Sequence, residues 1–517
     1  MFSNFPILYP LLSLLALAFL VHWIHARFFS ARSLPKSLPW AGVNDSSVLS
    51  RAISTYRSLF HTRELLYEAY EKDGIPFVLP NVVAGPEVIL PQSMMDWLLH
   101  HPDNVLDQNE VNRDFLQADY TMLHEKVIHD SVHAEFIRKA LTQHLGDYTG
   151  DVAEEVDFVF RKVWGIDSES WKEVVVYDTM SEIIARISNR VLVGLPLCRN
   201  DNYVYHSSRF ARWVILEAST INMLPNFLKP SVLSSNAFPF DTDDLGHIIP
   251  IWKQASSAPI LDGKKKTGYI QWCLDHADTP IERGSDMISK RLSALSFAVI
   301  QSSVITLSNL LFDLAASPLT PTLMSTIQQY VFAELQEDHG IWTKSNLARI
   351  IILDSVLRES MRLWGFVSRG VLKTVVAPKG INLPGYGHLP CGTKVGIHAN
   401  PVHHDEKFYD NAYEFQPLRF CTPGSIMTTE DGKAIEQKRE GTPLVNTSST
   451  FMAFSHGKHA CPGRFFATQQ LKLVLAYIAI NYEIAPIPQR PANNWIVGSS
   501  GPPLKDTIRI RRIKGTA

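Results

Sequence analysis

The chain has 517 residues, a formal net charge of −2, and 45% hydrophobic against 19% charged residues. That length suffices for a large buried core, and the near-neutral balance, with no basic stretch laced with aromatics, excludes the electrostatic footprint of a nucleic-acid partner. Five dispersed cysteines (Cys198, Cys273, Cys391, Cys421, Cys461) are an odd set that reads as a reduced compartment rather than a disulfide framework.

Phe5 to Ile24 is almost wholly apolar and long enough to span a bilayer. No basic side chain precedes it, whereas Arg27, Arg32 and Lys36 follow, so the positive-inside rule puts the rest of the chain in the cytosol. A cleaved signal peptide is the competing reading. Residues 1–26 are expected to form an N-terminal membrane anchor, residues 27–42 a basic, proline-rich hinge, and residues 43–517 one large domain, since no internal repeat or long low-complexity linker divides them.

Along that domain the pattern predicts a helix from Arg63 to Glu71, then short strands within Gly74–Pro80 and from Glu87. Further helices are predicted over Tyr120–Leu145, Val152–Trp164, Val176–Val193 and Asn202–Met223. Pro225 to Pro250 is turn-rich and hydrophobic. Leu292 to Phe312 contains no charged residue, yet Ser293, Ser296, Gln301, Ser302, Ser303, Thr306 and Ser308 make it too polar for lipid, so it reads as a long core helix. A helix over Ile351–Leu363 is followed by strands within Phe366–Val376 and Leu389–Ala399. Cys421 to Ser449 reads as an exposed loop. The sum is a mainly α fold with small β-sheets.

The segment Phe454-Ser-His-Gly457-Lys-His459-Ala-Cys461-Pro-Gly463-Arg-Phe-Phe-Ala467 places one cysteine in a glycine-punctuated loop that runs into an apolar helical pattern. A helix N-terminus lowers a thiol pKa, and a bound metal deprotonates it outright. Gly457 and Gly463 permit backbone conformations or a close approach that a side chain would block. Two plainer readings stand beside this one: a small buried hydrophobe, or a zinc site drawing on His456, His459 and Cys461.

The loop resembles the haem-binding loop of cytochrome P-450 enzymes, F-x-x-G-x-R-x-C-x-G, in the form common in fungal secondary metabolism. The resemblance implies a cytochrome P-450 fold, with residues 43–517 as a haem-thiolate catalytic domain and Cys461 as the axial thiolate ligand of haem iron. Phe454 would shield the sulfur, and Gly457 and Gly463 would shape the loop. His459 stands where the family usually has arginine and would donate to a haem propionate, as would Arg138 and Arg369. Glu359-Ser-Met-Arg362 resembles the family's E-x-x-R; at i,i+3 its two side chains share one helix face. Phe415-Gln-Pro417-Leu-Arg419-Phe420 resembles F-x-P-x-R-F, whose arginine would join Glu359 and Arg362 in a buried structural triad. Trp495 to Gly501 would close the substrate pocket. The resemblance covers about Leu34 to Arg512.

Ala298-Val-Ile-Gln301-Ser302-Ser303 aligns with the family's A-G-x-D/E-T-T, where an acid and an alcohol relay protons to bound oxygen. Gln301, Ser302 and Ser303 are therefore the catalytic candidates, with the difference that a glutamine cannot titrate. The resemblance implies haem b (iron protoporphyrin IX), O2 and NADPH-derived electrons. It also implies NADPH–cytochrome P-450 reductase as partner, with cytochrome b5 as a second donor. The expected activity is a monooxygenase acting on a small hydrophobic terpenoid, polyketide or alkaloid from a single-pass anchor in the endoplasmic reticulum membrane. Gln301-Ser302 keeps open desaturation, rearrangement or oxygen-independent isomerisation or dehydration on the same fold. A haem-binding carrier or sensor is a further alternative.

Overall fold

The computed structural model describes residues 34–43, 47–71, 74–81, 85–122, 124–130, 132–224, 229, 268–366, 368–422, 441–496 and 498–515. The expected anchor, the first part of the hinge, the 225–250 segment apart from Lys229, and most of the loop after Cys421 lie outside them.

The longest helix, Ser285–Ala316, starts behind Gly284 with Asp286 in its first turn, where a carboxylate suits the helix dipole. It ends at Ser317, one residue before Pro318. By length and apolarity it would cross a membrane, but 67% of its most apolar stretch is buried inside the protein. It is the axis of the main core. Leu145–Val163, Val176–Leu192, Thr320–Glu337, Ile351–Leu363 and Arg464–Asn481 supply the apolar faces around it.

A second core lies against a five-stranded sheet, ordered Phe77–Leu79, Glu87–Ile89, Lys394–His398, Arg369–Val375 and Leu106–Asp107. Pairing is antiparallel except between Glu87–Ile89 and Lys394–His398. The register slips between Arg369 and Val371, the mark of a bulge. Tyr482–Ile484, Thr507–Arg512 and Lys172–Val175 form a smaller antiparallel sheet, and Asn494–Ile496 pairs with Ser499–Gly501.

One expectation fails clearly. Tyr120–Leu145 is not a single helix but breaks into Ala118–Thr121, Glu125–His129, Val132–Glu135 and Phe136–Leu141. The His124 ring accepts the Lys126 N–H and caps a new start, a local bond that competes with helix continuation. Over 136–141 the backbone widens, with Thr142 N–H donating to the Ile137 carbonyl five residues back.

Candidate active site

Cys461 sits three residues before the helix Arg464–Asn481. Its N–H donates to the Phe454 carbonyl (2.8 Å), closing the loop. The Arg464 guanidinium bonds the Cys461 carbonyl (2.8 Å). Burial pushes the thiol pKa up, while the backbone N–H of Gly463, the Arg464 charge and the Arg464 N–H pull it down. Two N–H groups of the first turn thus face the sulfur, as at other helix N-termini that hold anions. Phe454 is buried beside it.

Gly457 is required on two counts. Its φ is +76°, and a Cβ there would stand 2.7 Å from Leu99 Cδ2. At Gly463 a Cβ would project to 3.9 Å from Cys461 Sγ, beside the atom that must meet a ligand.

Behind the loop, Glu359 gathers both arginines. Arg362 Nε and Nη2 donate to its two oxygens (2.8 and 2.9 Å), and Arg419 Nε bonds both (3.1 and 3.0 Å). The Gln416 N–H adds a further bond to Glu359 (3.0 Å). Arg362 goes on to the carbonyls of His403, Ala412 and Glu414, and Arg419 to those of Asp410 and Asn411. The triad therefore ties the Ile351–Leu363 helix to the segment that leads toward the cysteine loop. His403 extends the tie, accepting the Met452 N–H at Nε2 (2.9 Å) and meeting the Arg362 carbonyl at Nδ1 (3.1 Å).

The expected oxygen-side residues lie mid-way along Ser285–Ala316. Leu292 to Ser296 and Thr306 to Ala315 are buried, but Ala298 is exposed and Phe297, Val299, Gln301, Ser302 and Ile305 are half-buried. Ala298, Ser302 and Ile305 recur at helical spacing with Phe297 and Gln301 beside them, so this mid-helix stretch of a mostly buried helix leaves one stripe partly bare. Ser302 Oγ donates to the Ala298 carbonyl and Ser303 Oγ to the Val299 carbonyl, both at 3.2 Å. Gln301 alone of the three reaches off the helix, its Nε2 donating to Tyr177 Oη at 2.6 Å. Nothing local in the sequence links Gln301 to Tyr177, 124 residues earlier.

His459 Nε2 meets Asp103 Oδ1 at 2.7 Å, with Lys458 Nζ on the other oxygen at 2.6 Å. Hydrogen bonds from Lys458 and His459 hold the Asp103 carboxyl below its usual range. A cavity of about 140 Å³ opens here, lined among others by Gln108, Lys373, His456 and His459. Arg138 is exposed in the widened turn, its Nε on the Ala134 carbonyl (3.3 Å). Arg369 opens its strand; its side chain lies outside the described parts. No group of three or more His, Cys, Asp or Glu that could hold a metal ion occurs among the described residues, which disfavours the zinc reading.

These residues fit a haem. The donor set is one thiol at a helix start, the partly bare stripe belongs to a helix that is mostly buried, and a glycine keeps the space beside the sulfur clear. Such a group needs only one protein ligand to iron, and a thiolate is one of its established axial ligands.

Fold and site thus define a haem-thiolate protein. The cytochrome P-450 family model matches residues 255–496. Cytochrome P-450 monooxygenase 71 of Postia placenta is 31% identical over 505 residues, 94% of each chain. Monooxygenase 110 of the same organism is 30% identical over 94% of each, and monooxygenase gloP of Glarea lozoyensis is 28% identical over 98% of this chain and 96% of its own. The chain belongs to the cytochrome P-450 family and is a haem-thiolate monooxygenase.

Proposed function

We propose that the chain is a membrane-bound monooxygenase that oxidises a small hydrophobic secondary metabolite, of terpenoid, polyketide or alkaloid type, in fungal natural-product biosynthesis. Electrons come from NADPH through a separate cytochrome P-450 reductase. The observation that carries this reading is the partly bare stripe Ala298–Ser302–Ile305, with Phe297 and Gln301 beside it, on a helix mostly buried in the core. It offers a mainly apolar wall with one hydroxyl and one neutral carboxamide and no charge, which suits a substrate bound by shape and burial rather than by charge. The named relatives are all fungal monooxygenases, which supports the biosynthetic setting.

Haem held by Cys461 would supply the oxygen-activating redox chemistry. The protein's own residues do the rest. Gly463 leaves room beside the sulfur, and the N–H groups of Gly463 and Arg464 favour its thiolate form. The Glu359 triad fixes the ground behind the loop. Ser302 presents a hydroxyl on the bare stripe; its O–H donates to the Ala298 carbonyl, which leaves its lone pairs to accept from water. His459, Arg138 and Arg369 are the proposed propionate partners; for His459 this requires its ring to share or leave Asp103.

Membrane attachment through residues 1–26, at the endoplasmic reticulum with the catalytic domain in the cytosol, belongs to the same proposal. It is supported by the helix Val48–Arg57, which is built inside out. Ser54 and Thr55 are buried, while Leu49, Ile53 and Tyr56, spaced 4 and 3 residues apart, stand exposed, as does Phe60 in the turn that follows. An apolar face of this kind is suited to lipid.

The test is incubation of microsomes carrying the chain and a reductase with panels of the three scaffold types under isotopic dioxygen. Label in the product, dependent on NADPH, is expected. A product formed without label would move the reaction to desaturation or rearrangement, and turnover of polar scaffolds only would contradict the substrate class.

A further inference from the structure

Three helices meet where Gln301 leaves its helix. Ser285–Ala316 packs on Val176–Leu192, and Asp201–Met223 packs on both. Tyr177 sits in the first turn of Val176–Leu192, 6% exposed. Its hydroxyl receives the Gln301 amide from inside. Its ring lies 5.4 Å from the Arg212 guanidinium, and Arg212 lies 3.6 Å from Asp178, both of these outer side chains being exposed. A polar line therefore runs from the bare stripe of the core helix, through Gln301 and Tyr177, to an exposed ion pair at the surface.

The chemistry of each member limits what it can do. A carboxamide neither gains nor loses a proton near neutral pH, so Gln301 cannot relay one. It can hold a water molecule in place. The Ser302 and Ser303 hydroxyls already donate to their own helix, which leaves them as acceptors. A phenol that accepts from Gln301 keeps its own O–H to donate. With its amide N–H fixed on Tyr177, Gln301 has its carbonyl oxygen left to hold water beside the serines. Without Tyr177 the side chain has rotamers to choose from, and the water has no fixed partner.

We propose that Tyr177 is a positioning residue for proton delivery: it locks the Gln301 carboxamide so that ordered water beside Ser302 carries the protons that an acid would otherwise supply. The inference rests on the monooxygenase reading and adds to it a residue outside the long helix. The proton comes from solvent, passes along water, and no protein group changes its net charge.

The test uses the full chain with haem, a purified reductase, NADPH and no added organic substrate. Two overall reactions compete. One is NADPH + H⁺ + O2 → NADP⁺ + H2O2, and the other is 2 NADPH + 2 H⁺ + O2 → 2 NADP⁺ + 2 H2O. Peroxide released per NADPH therefore rises toward one as proton delivery fails. Tyr177→Phe, which removes only the hydroxyl, is expected to raise that ratio as much as Gln301→Ala does, and the double variant no further. A fluorinated tyrosine at position 177 gives a readout free of turnover: its fluorine resonance should shift when Gln301 becomes alanine. An unchanged ratio in Tyr177→Phe, fully additive effects, a fluorine signal blind to Gln301, or a parent already at one peroxide per NADPH would each overturn the proposal. A purely structural bond would lower the unfolding midpoint and leave the ratio unmoved. If the carbon monoxide spectrum of the same samples lacked thiolate ligation, the function reading would fail instead, so the two failures are separable.

Discussion

Glu359 is the one negative charge between Arg362 and Arg419; Glu359 and Arg362 are fully buried and Arg419 nearly so. Glu359→Gln keeps the shape and some hydrogen bonds but leaves two guanidinium groups facing each other without a counter-charge. Breaking a buried ion pair by removing one partner is destabilising by about 3–5 kcal/mol. The variant should unfold at lower denaturant and lose haem on purification; an unfolding midpoint equal to the parent's would refute the structural role. His403 gives a pH prediction. Burial, helped by His404 and Arg362, lowers its pKa from about 6.5 to about 3. Between those values the unfolded chain binds the proton and the folded one does not, so stability from His403 is complete above about pH 6.5 and falls as the pH drops toward 3. His403→Asn carries no such proton. The stability gap between parent and variant should therefore narrow as the pH is lowered from 7 to 4. Thermal melts across that range measure it, and a constant gap would show that the ring is not held neutral.

Among the elements, local spacing made some features legible and long-range contact hid others. Cys461, Gly457 and Gly463 declare themselves because the loop and the following helix are contiguous. Glu359 and Arg362 are legible because i,i+3 is a neighbour relation on any helix. The pairings of Gln301 with Tyr177 and of His459 with Asp103 join residues 124 and 356 positions apart, and no periodicity encodes them. Tyr120–Leu145 misled because its apolar pattern is helical throughout, while one histidine cap and one widened turn break the backbone without disturbing that pattern. The helix Val48–Arg57 shows the reverse case: its amphipathic pattern is plain, but only the structure reveals that the apolar side faces outward. A photo-crosslinking amino acid at position 60, in the turn that follows this helix, should attach to lipid in phosphatidylcholine vesicles carrying the full chain, and one at position 68, an exposed glutamate on the separate helix Thr62–Tyr70, should not. Equal labelling at both positions, or none at 60, would contradict a lipid-facing helix.

At the scale of the whole molecule, the main core is organised around Ser285–Ala316, and the cysteine loop is positioned from behind by the Glu359 node. The helix Arg464–Asn481 that follows the cysteine packs directly on Ser285–Ala316. That arrangement explains why an apolar helix long enough for a bilayer remains inside the protein, and why a half-covered cysteine is held by backbone N–H groups at a helix start. The proposed chemistry depends on sulfur ligation of haem iron by Cys461. It is tested most directly by reducing the purified full-length protein and adding carbon monoxide. The predicted result is the strongly red-shifted Soret band of a thiolate-ligated haem, absent in Cys461→Ala. A folded protein that carries no porphyrin, or one whose carbon monoxide complex shows the Soret band of histidine ligation, would contradict it.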